Sequence, residues 1–194
     1  MLEVSIKERE MARSILVTFS QYGFRKTSME EIAKAAGLSR QSIYKKFGSK
    51  EKCYRWTIKT YLDDIYTRIF AVFNRDHLPA QHILMDMFDI LIGEAIIIVR
   101  NAHGTEVLRD VLEVTHFSEE DWPLRLKTRL ANFLVKQHWV SEEKALGMAF
   151  TLISAGKGLL LIEPNREDFL KDMQIMIDTI APRRIDPNGH PKEF

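Results

Sequence analysis

The chain has 194 residues, 45% of them hydrophobic, and a formal net charge of +1 at pH 7, which supplies enough apolar material for a real core and excludes a largely disordered protein. Its one cysteine, Cys53, rules out an internal disulfide framework and a four-thiolate zinc site and points to a reducing, cytoplasmic setting. The near-neutral total hides an asymmetry: residues 1–60 hold 13 Lys and Arg against 6 Asp and Glu, whereas residues 61–194 hold 15 against 21. The basic end is the nucleic-acid candidate, and a solvated basic face is its plain alternative.

Residues 1–10 carry charges of both signs and no apolar run, so no secretory signal of the usual kind is expected there. The apolar run 90–99 is interrupted by Gly93 and Glu94 and is too short to span a bilayer, so no membrane partner is expected. Apolar spacing is helical nearly throughout and predicts an all-α chain. In chain order the predicted helices cover residues 4–22, 28–36, 39–47, 49–74, 79–100, 105–116, 122–138, 141–162 and 166–180. Ser28, Ser39, Ser49 and Ser141 suit helix N-caps, and Glu31 completes a capping box with Ser28. Pro79 and Pro123 suit first turns. Residues 182–194, rich in proline and charge, are expected to form an irregular tail.

The most informative stretch is 27–47, TSMEEIAKAAGLSRQSIYKKF. A short capped helix meets a Gly-Leu-Ser turn and then a second short helix, which is the pattern of a helix-turn-helix. Ile32, Ala36, Leu38, Ile43 and Phe47 are the positions expected to face a preceding helix, with Ala33 permitting close approach and Gly37 supplying a left-handed turn. Arg40, Gln41, Ser42, Tyr44 and Lys45 then form the outward face of the second helix, donors suited to base edges and phosphates of a major groove. Lys46 is placed to reach the backbone.

These residues resemble the TetR family of one-component regulators over about the first 60 positions. The resemblance rests on Phe19, Gly23, Thr27, the Ile32-Ala33 pair, Ala36-Gly37-Leu38-Ser39, Tyr44, Phe47 and Ser49-Lys50-Glu51. It implies a three-helix DNA-binding domain over 1–48, in which Thr27 or Ser28, Tyr44 and Lys50 meet phosphates while Arg40, Gln41 and Ser42 lie nearest base edges, with Ser39 and Lys45 also counted among the DNA-binding residues. It further implies a helical ligand-binding and dimerisation domain over 49–181, a homodimer, a palindromic double-stranded operator and release of a repressor by a small-molecule effector. Gln41 and Lys46 depart from the family's usual small and aromatic residues. Gln41 keeps two readings here, a bidentate pair with adenine or a solvent-facing amide. Lys50 begins a helix, where a cation is disfavoured by the dipole, which adds a physical case for its contact with a phosphate outside that helix.

Past residue 60 the resemblance fades. Small residues Gly147, Ala149, Ser154, Ala155, Gly156 and Gly158 would let another helix approach closely, from within the chain or from a second copy. Glu94, beside an apolar run, is a candidate anchor for an effector, with a partly exposed glutamate or an internal ion pair as its alternatives. Phe88, Trp122, Phe133, Trp139 and Met148 are candidates to line an apolar cavity, with core packing as theirs. No metal site or cofactor is expected, since the histidines lack paired ligand spacing, and no catalytic set or phosphate loop appears. The competing class is a helical protein-interaction module without specific DNA binding.

Overall fold

The computed structural model describes residues 5–116, 121–162 and 165–181, so the expected tail at 182–194 lies outside the described residues. Ten α-helices follow one another among the described residues, and no strand is found there: α1 (Ile6–Lys26), α2 (Met29–Ala35), α3 (Arg40–Phe47), α4 (Lys50–Val72), α5 (Ala80–Leu91), α6 (Ile96–Val99), α7 (Gly104–His116), α8 (Trp122–Lys136), α9 (Glu142–Ile162) and α10 (Arg166–Ile180). The helix starts follow from short polar side chains that accept orphan N–H groups. Ser5 with Glu8 and Ser28 with Glu31 form full capping boxes, while Ser39, Ser49, Asp121 and Asn165 cap α3, α4, α8 and α10. Pro79 precedes α5 as its N-cap and Pro123 sits in the first turn of α8.

One core runs through the molecule. Ile15, Leu16 and Phe19 of α1 are fully buried and meet Ile32 of α2 and Ile43 of α3 in the head, while Ile58, Ile65 and Ile69 carry α4 through the body. Beyond them lie Leu84, Met87 and Phe88 of α5, Leu130 and Leu134 of α8, and Phe169, Met173 and Ile177 of α10. Each such side chain contributes about 1.5–3 kcal/mol when taken fully out of water.

Two expectations need correction. The single helix over 79–100 is broken: Ile92 leaves helical geometry at φ −129°, ψ −49°, a 3₁₀ turn (Gly93–Ala95) follows, and α6 resumes for one turn. At Gly93 a Cβ would overlap the Asp89 carboxylate, which Arg166 of α10 holds across that position. A single helical wheel over 79–100 therefore does not extend past the break, and Ile97 is exposed. Secondly, the run 90–99 is not the segment to test for a membrane. Helix α9 is long and apolar enough to cross one by length and composition. It packs Ala145, Ala149, Leu152, Gly156, Leu159 and Leu160 inward and leaves Leu146, Phe150, Leu161 and Ile162 exposed.

After the break, the segment from the 3₁₀ turn to α7 lies along α1. His103 N–H donates to the Ser20 carbonyl at 2.8 Å, and Asn101 Nδ2 donates to Ser20 Oγ at 2.7 Å. The His103 ring covers Gly23, where α1 kinks at φ +77°, and a Cβ there would lie 2.9 Å from its Nδ1. Gly104 starts α7 so tightly that a Cβ would penetrate the carbonyl oxygens of Ile98 and Val99. These obstacles are backbone atoms, so Gly104→Ala is expected to destabilise by about 1–3 kcal/mol, lowering Tm by roughly 2–4 °C for each of them, as read by thermal melting followed at 222 nm. Cys53 packs in the core beneath the head with its thiol pushed up to about 11 by burial. The folded chain at pH 8 is expected to resist dithionitrobenzoate and to release one equivalent only after unfolding, and a fast native-state reaction would contradict this packing.

Candidate nucleic-acid interface

The turn between α2 and α3 is built by backbone bonding. The N–H of Gly37 donates to the Lys34 carbonyl at 3.2 Å and that of Leu38 to the Ala33 carbonyl at 2.9 Å, the two bonds of a Schellman ending. Gly37 adopts φ +64°, a left-handed conformation that costs a β-carbon residue about 1–2 kcal/mol. Ser39 then caps α3 at once, its Oγ accepting the Ser42 N–H at 3.1 Å. Ile43 and Phe47 are buried against α1 and α4 side chains, and Ile32 and Ala33 face the same core. This fixes the roll of α3 and turns Arg40, Gln41, Ser42, Tyr44, Lys45 and Lys46 outward, all exposed. No acidic residue stands on this helix. Arg40 lies over the Tyr44 ring at 5.9 Å, and the hydroxyls of Ser39 and Ser42 are 2.8 Å apart.

Thr27, Lys50 and Lys46 are placed in ways the sequence pattern did not indicate. Thr27 is buried, and its hydroxyl donates to the Gly23 carbonyl at 2.7 Å, so it stops α1 and turns no side-chain group outward. Ser28 beside it is exposed, its oxygen engaged in the α2 capping box. Lys50 finds its outside partner at the end of α1: Nζ donates to the Arg25 carbonyl at 3.1 Å and lies 4.8 Å from the Phe24 ring centroid. A cation is favoured at a helix C-terminus, so this position answers the unfavourable place of Lys50 in its own helix. Lys46 lies 5.3 Å from the Trp56 ring centroid on α4, and Gly48 closes α3 at φ +75°.

The residues considered for an effector are dispersed. Phe88 is fully buried where α5 meets Gly156 of α9. Trp122 stacks on Tyr66 with centroids 5.1 Å apart under the Arg125 guanidinium, and Phe133 packs on Phe73 at 5.3 Å. Trp139 and Met148 are half-buried against the same core. A shallow groove of about 540 Å³ between α8 and α9 is lined by residues such as Asn132, Val135, Lys136 and Leu146 and by none of these candidates. Among the described residues no group of three or more His, Cys, Asp or Glu gathers as a metal site.

Glu94 is held by two arginines. Arg68 of α4 grips both its oxygens, and Arg13 of α1 stands 3.6 Å away. Burial works against its charge, but the Arg68 hydrogen bonds and the two guanidinium charges outweigh it and hold the carboxyl below the usual range. Asp64 joins Arg68 at 3.3 Å and Arg9 of α1 at 2.5 Å, the latter an ion contact without hydrogen-bond geometry. Arg9 and Arg13 carried no sequence signal toward Asp64 and Glu94, because pairs joining separate helices leave no spacing to read, whereas Asp64 and Arg68 stand four apart on α4.

Comparison with known proteins bears first on the head. Residues 15–55 match the family model described as bacterial regulatory proteins, tetR family. The HTH-type transcriptional regulator RutR of Escherichia coli strain K12 is 37% identical over 76 residues, 39% of this chain and 35% of RutR. The uncharacterized HTH-type transcriptional regulator YuxN of Bacillus subtilis is 33% identical over 73 residues, 38% of this chain and 25% of YuxN. At sequence level the chain thus matches about a third or less of the length of these curated relatives. Over the whole fold, a TetR transcriptional regulator from Legionella pneumophila superposes with a TM-score of 0.59 at 20% identity, covering 94% of this chain and all of that one. SCO0520 from Streptomyces coelicolor, also a TetR transcriptional regulator, gives 0.65 at 15% identity over 91% of this chain and 98% of its own. At such identities the likeness is one of fold.

Proposed function

Through residues 15–55 this chain belongs to the tetR family of bacterial regulatory proteins, and from that premise we propose that it is a transcriptional regulator that reads a palindromic operator as a homodimer. The observation that carries the reading is the outward face of α3, where Arg40, Gln41, Ser42, Tyr44 and Lys45 stand exposed on a helix without acidic residues. The head is taken as 1–48, closing at Gly48, and the regulatory and dimerisation body as 49–181. Arg40 and Gln41 are assigned to base edges, with Ser42 held near them by Ser39. Tyr44, Lys45, Ser28 and Ser39 are assigned to phosphates. Thr27 leaves the contact set, and Lys50 serves it by fixing α4 to the end of α1. The operating mode proposed is repression relieved by a small molecule, in the cytoplasm, with no catalytic step. The dispersal of Phe88, Trp122, Phe133, Trp139 and Met148 supports packing for them rather than a shared effector cavity.

Dimerisation is supported by α9 and α10. Gly147, Phe150, Thr151, Ser154, Gly158, Leu161 and Ile162 recur at helical spacing on one exposed face of α9, with Phe150 63% and Ile162 70% exposed. Among the described residues, and apart from the helix's own adjacent backbone, nothing stands within 4 Å of a Cβ built at Gly147 or Gly158, which leaves room for a partner helix. Ile175 of α10 is exposed as well. A second copy related by a two-fold axis would cover this face with the same face.

Fluorescence anisotropy with duplexes from the chain's own upstream region is expected to give saturable binding at least about 10³-fold tighter than a scrambled control and weakening with salt. Arg40→Ala and Gln41→Ala should each cost about 1–3 kcal/mol on the preferred duplex and relax preference at one base position. Equal, weak binding to both duplexes would favour the protein-interaction module instead. Multi-angle light scattering is expected to give a dimer mass for the native chain and a monomer mass for Phe150→Asp with its helicity unchanged. A monomeric native chain would remove the two-fold operator reading.

A further inference from the structure

The charged cluster at the junction of head and body is not absorbed by DNA reading or by dimerisation. Three guanidiniums, Arg9 and Arg13 from α1 and Arg68 from α4, face two carboxylates, Asp64 and Glu94. One positive charge is in excess. Arg13 is the least engaged, with a 3.6 Å pair and a side chain 46% exposed, so the cluster opens to solvent on its side. The Tyr61 hydroxyl is buried without a hydrogen-bond partner among the described residues, and the charges acting on it are those of Arg13, Glu94, Arg68 and Asp64. Burial raises its pKa, so it is a neutral donor at any physiological pH.

Glu94 meets Arg68 through both oxygens, which is how an arginine fork takes a ligand carboxylate. It does so from a 3₁₀ turn that follows the break at Ile92, a short element with little regular helix to anchor it. We propose that Arg13, Tyr61 and Arg68 form a binding site for the carboxylate of a small anionic effector, a place that the Glu94 carboxylate fills in this structure as an internal stand-in. The consequence for the head follows from connectivity. The segment that carries Glu94 also holds α1 further on, through Asn101 and His103 at Ser20. A carboxylate that takes the arginines from Glu94 frees the first of these two holds on α1 and leaves the second. An effector acts only by its different affinity for the two arrangements, and here the difference is the exchange of one carboxylate for another on the same guanidiniums.

The link to the operator rests on the regulatory reading above, whereas binding at the cluster does not, and the test separates them. Thermal melting of the full chain in sodium acetate against sodium chloride, at matched ionic strength, reads occupancy without DNA. The native chain is expected to show a saturable rise in Tm with acetate beyond that with chloride. In Glu94→Gln the arginines lose their internal anion, and the apparent acetate affinity should tighten at least about tenfold. Tyr61→Phe keeps the ring, and Arg13→Gln alters a half-exposed side chain; each should lose the acetate response with unchanged far-ultraviolet circular dichroism. Equal responses to acetate and chloride in every chain overturn the proposal. So does a Glu94→Gln chain that is merely less stable, with no gain in acetate response, because a purely structural ion pair would behave that way. Anisotropy on the operator duplex in the same buffers is the second arm: no operator binding in any buffer counts against the regulatory reading and leaves an acetate result standing.

Discussion

The rest of the structure depends on the packing of α1. Helices α2 and α3 have seven and eight residues, lengths at which an isolated helix is unstable in water. They exist because Ile32, Ile43 and Phe47 close over Ile15, Leu16 and Phe19. Phe19 sits edge-on to Tyr54 of α4 at 4.6 Å and beside Phe24 at 5.9 Å, so the same ring that supports the head also touches the first helix of the body. The reading face of α3 is therefore oriented by a core it does not contribute to directly, and any shift of α1 relative to α4 is a shift of that face.

Against this shared core the body makes a second set of contacts that are polar. Tyr54 donates to Asp110 of α7 at 2.7 Å, and Asn101 and His103 bond to Ser20. Arg9 and Arg13 reach Asp64 and Glu94. The break at Ile92 makes these possible: a straight helix over 79–100 would carry Glu94 past the arginines on a fixed wheel, whereas the turn at Gly93 redirects it. Gly93 is required by the Asp89–Arg166 pair that crosses it, so α10, an element of the proposed dimer face, shares in fixing the turn on which Glu94 stands.

Much of the head was legible in the sequence, for local reasons. Ser28 with Glu31, Gly37, and the apolar positions Ile32, Ile43 and Phe47 express their structure within a few residues, and the family resemblance rests on the same string. The helical body was legible as helices, with α10 matching to the residue, because 3.6-residue periodicity is also local. What escaped was everything decided between distant elements. Thr27 and Lys50 read as outward-facing phosphate contacts, yet the end of α1 captures both, one through the Gly23 carbonyl and the other through the Arg25 carbonyl. The aromatic candidates Trp122 and Phe133 found separate ring partners on α4 and just after it. Of the two alternatives for Glu94, the internal ion pair is what the structure contains, but its partners Arg68 and Arg13 lie 26 and 81 positions away in sequence.

Charged groups at the junction come at a cost, since removing a carboxylate and a guanidinium from water is repaid only when their geometry is good. A seam packed with leucines between α1, α4 and the 3₁₀ turn would hold the head as firmly or more so. It would also hold it in one position, because apolar contacts offer no partner that a soluble molecule can exchange. Arg13 at 3.6 Å and the Tyr61 hydroxyl, without a hydrogen-bond partner among the described residues, are the imperfect members of an otherwise tight cluster that includes the Arg68–Glu94 fork. Such imperfection weakens a purely structural joint, but it suits one that must open: the part of the interface with the least to lose is the part nearest solvent, and it lies on the helix that orients the reading face.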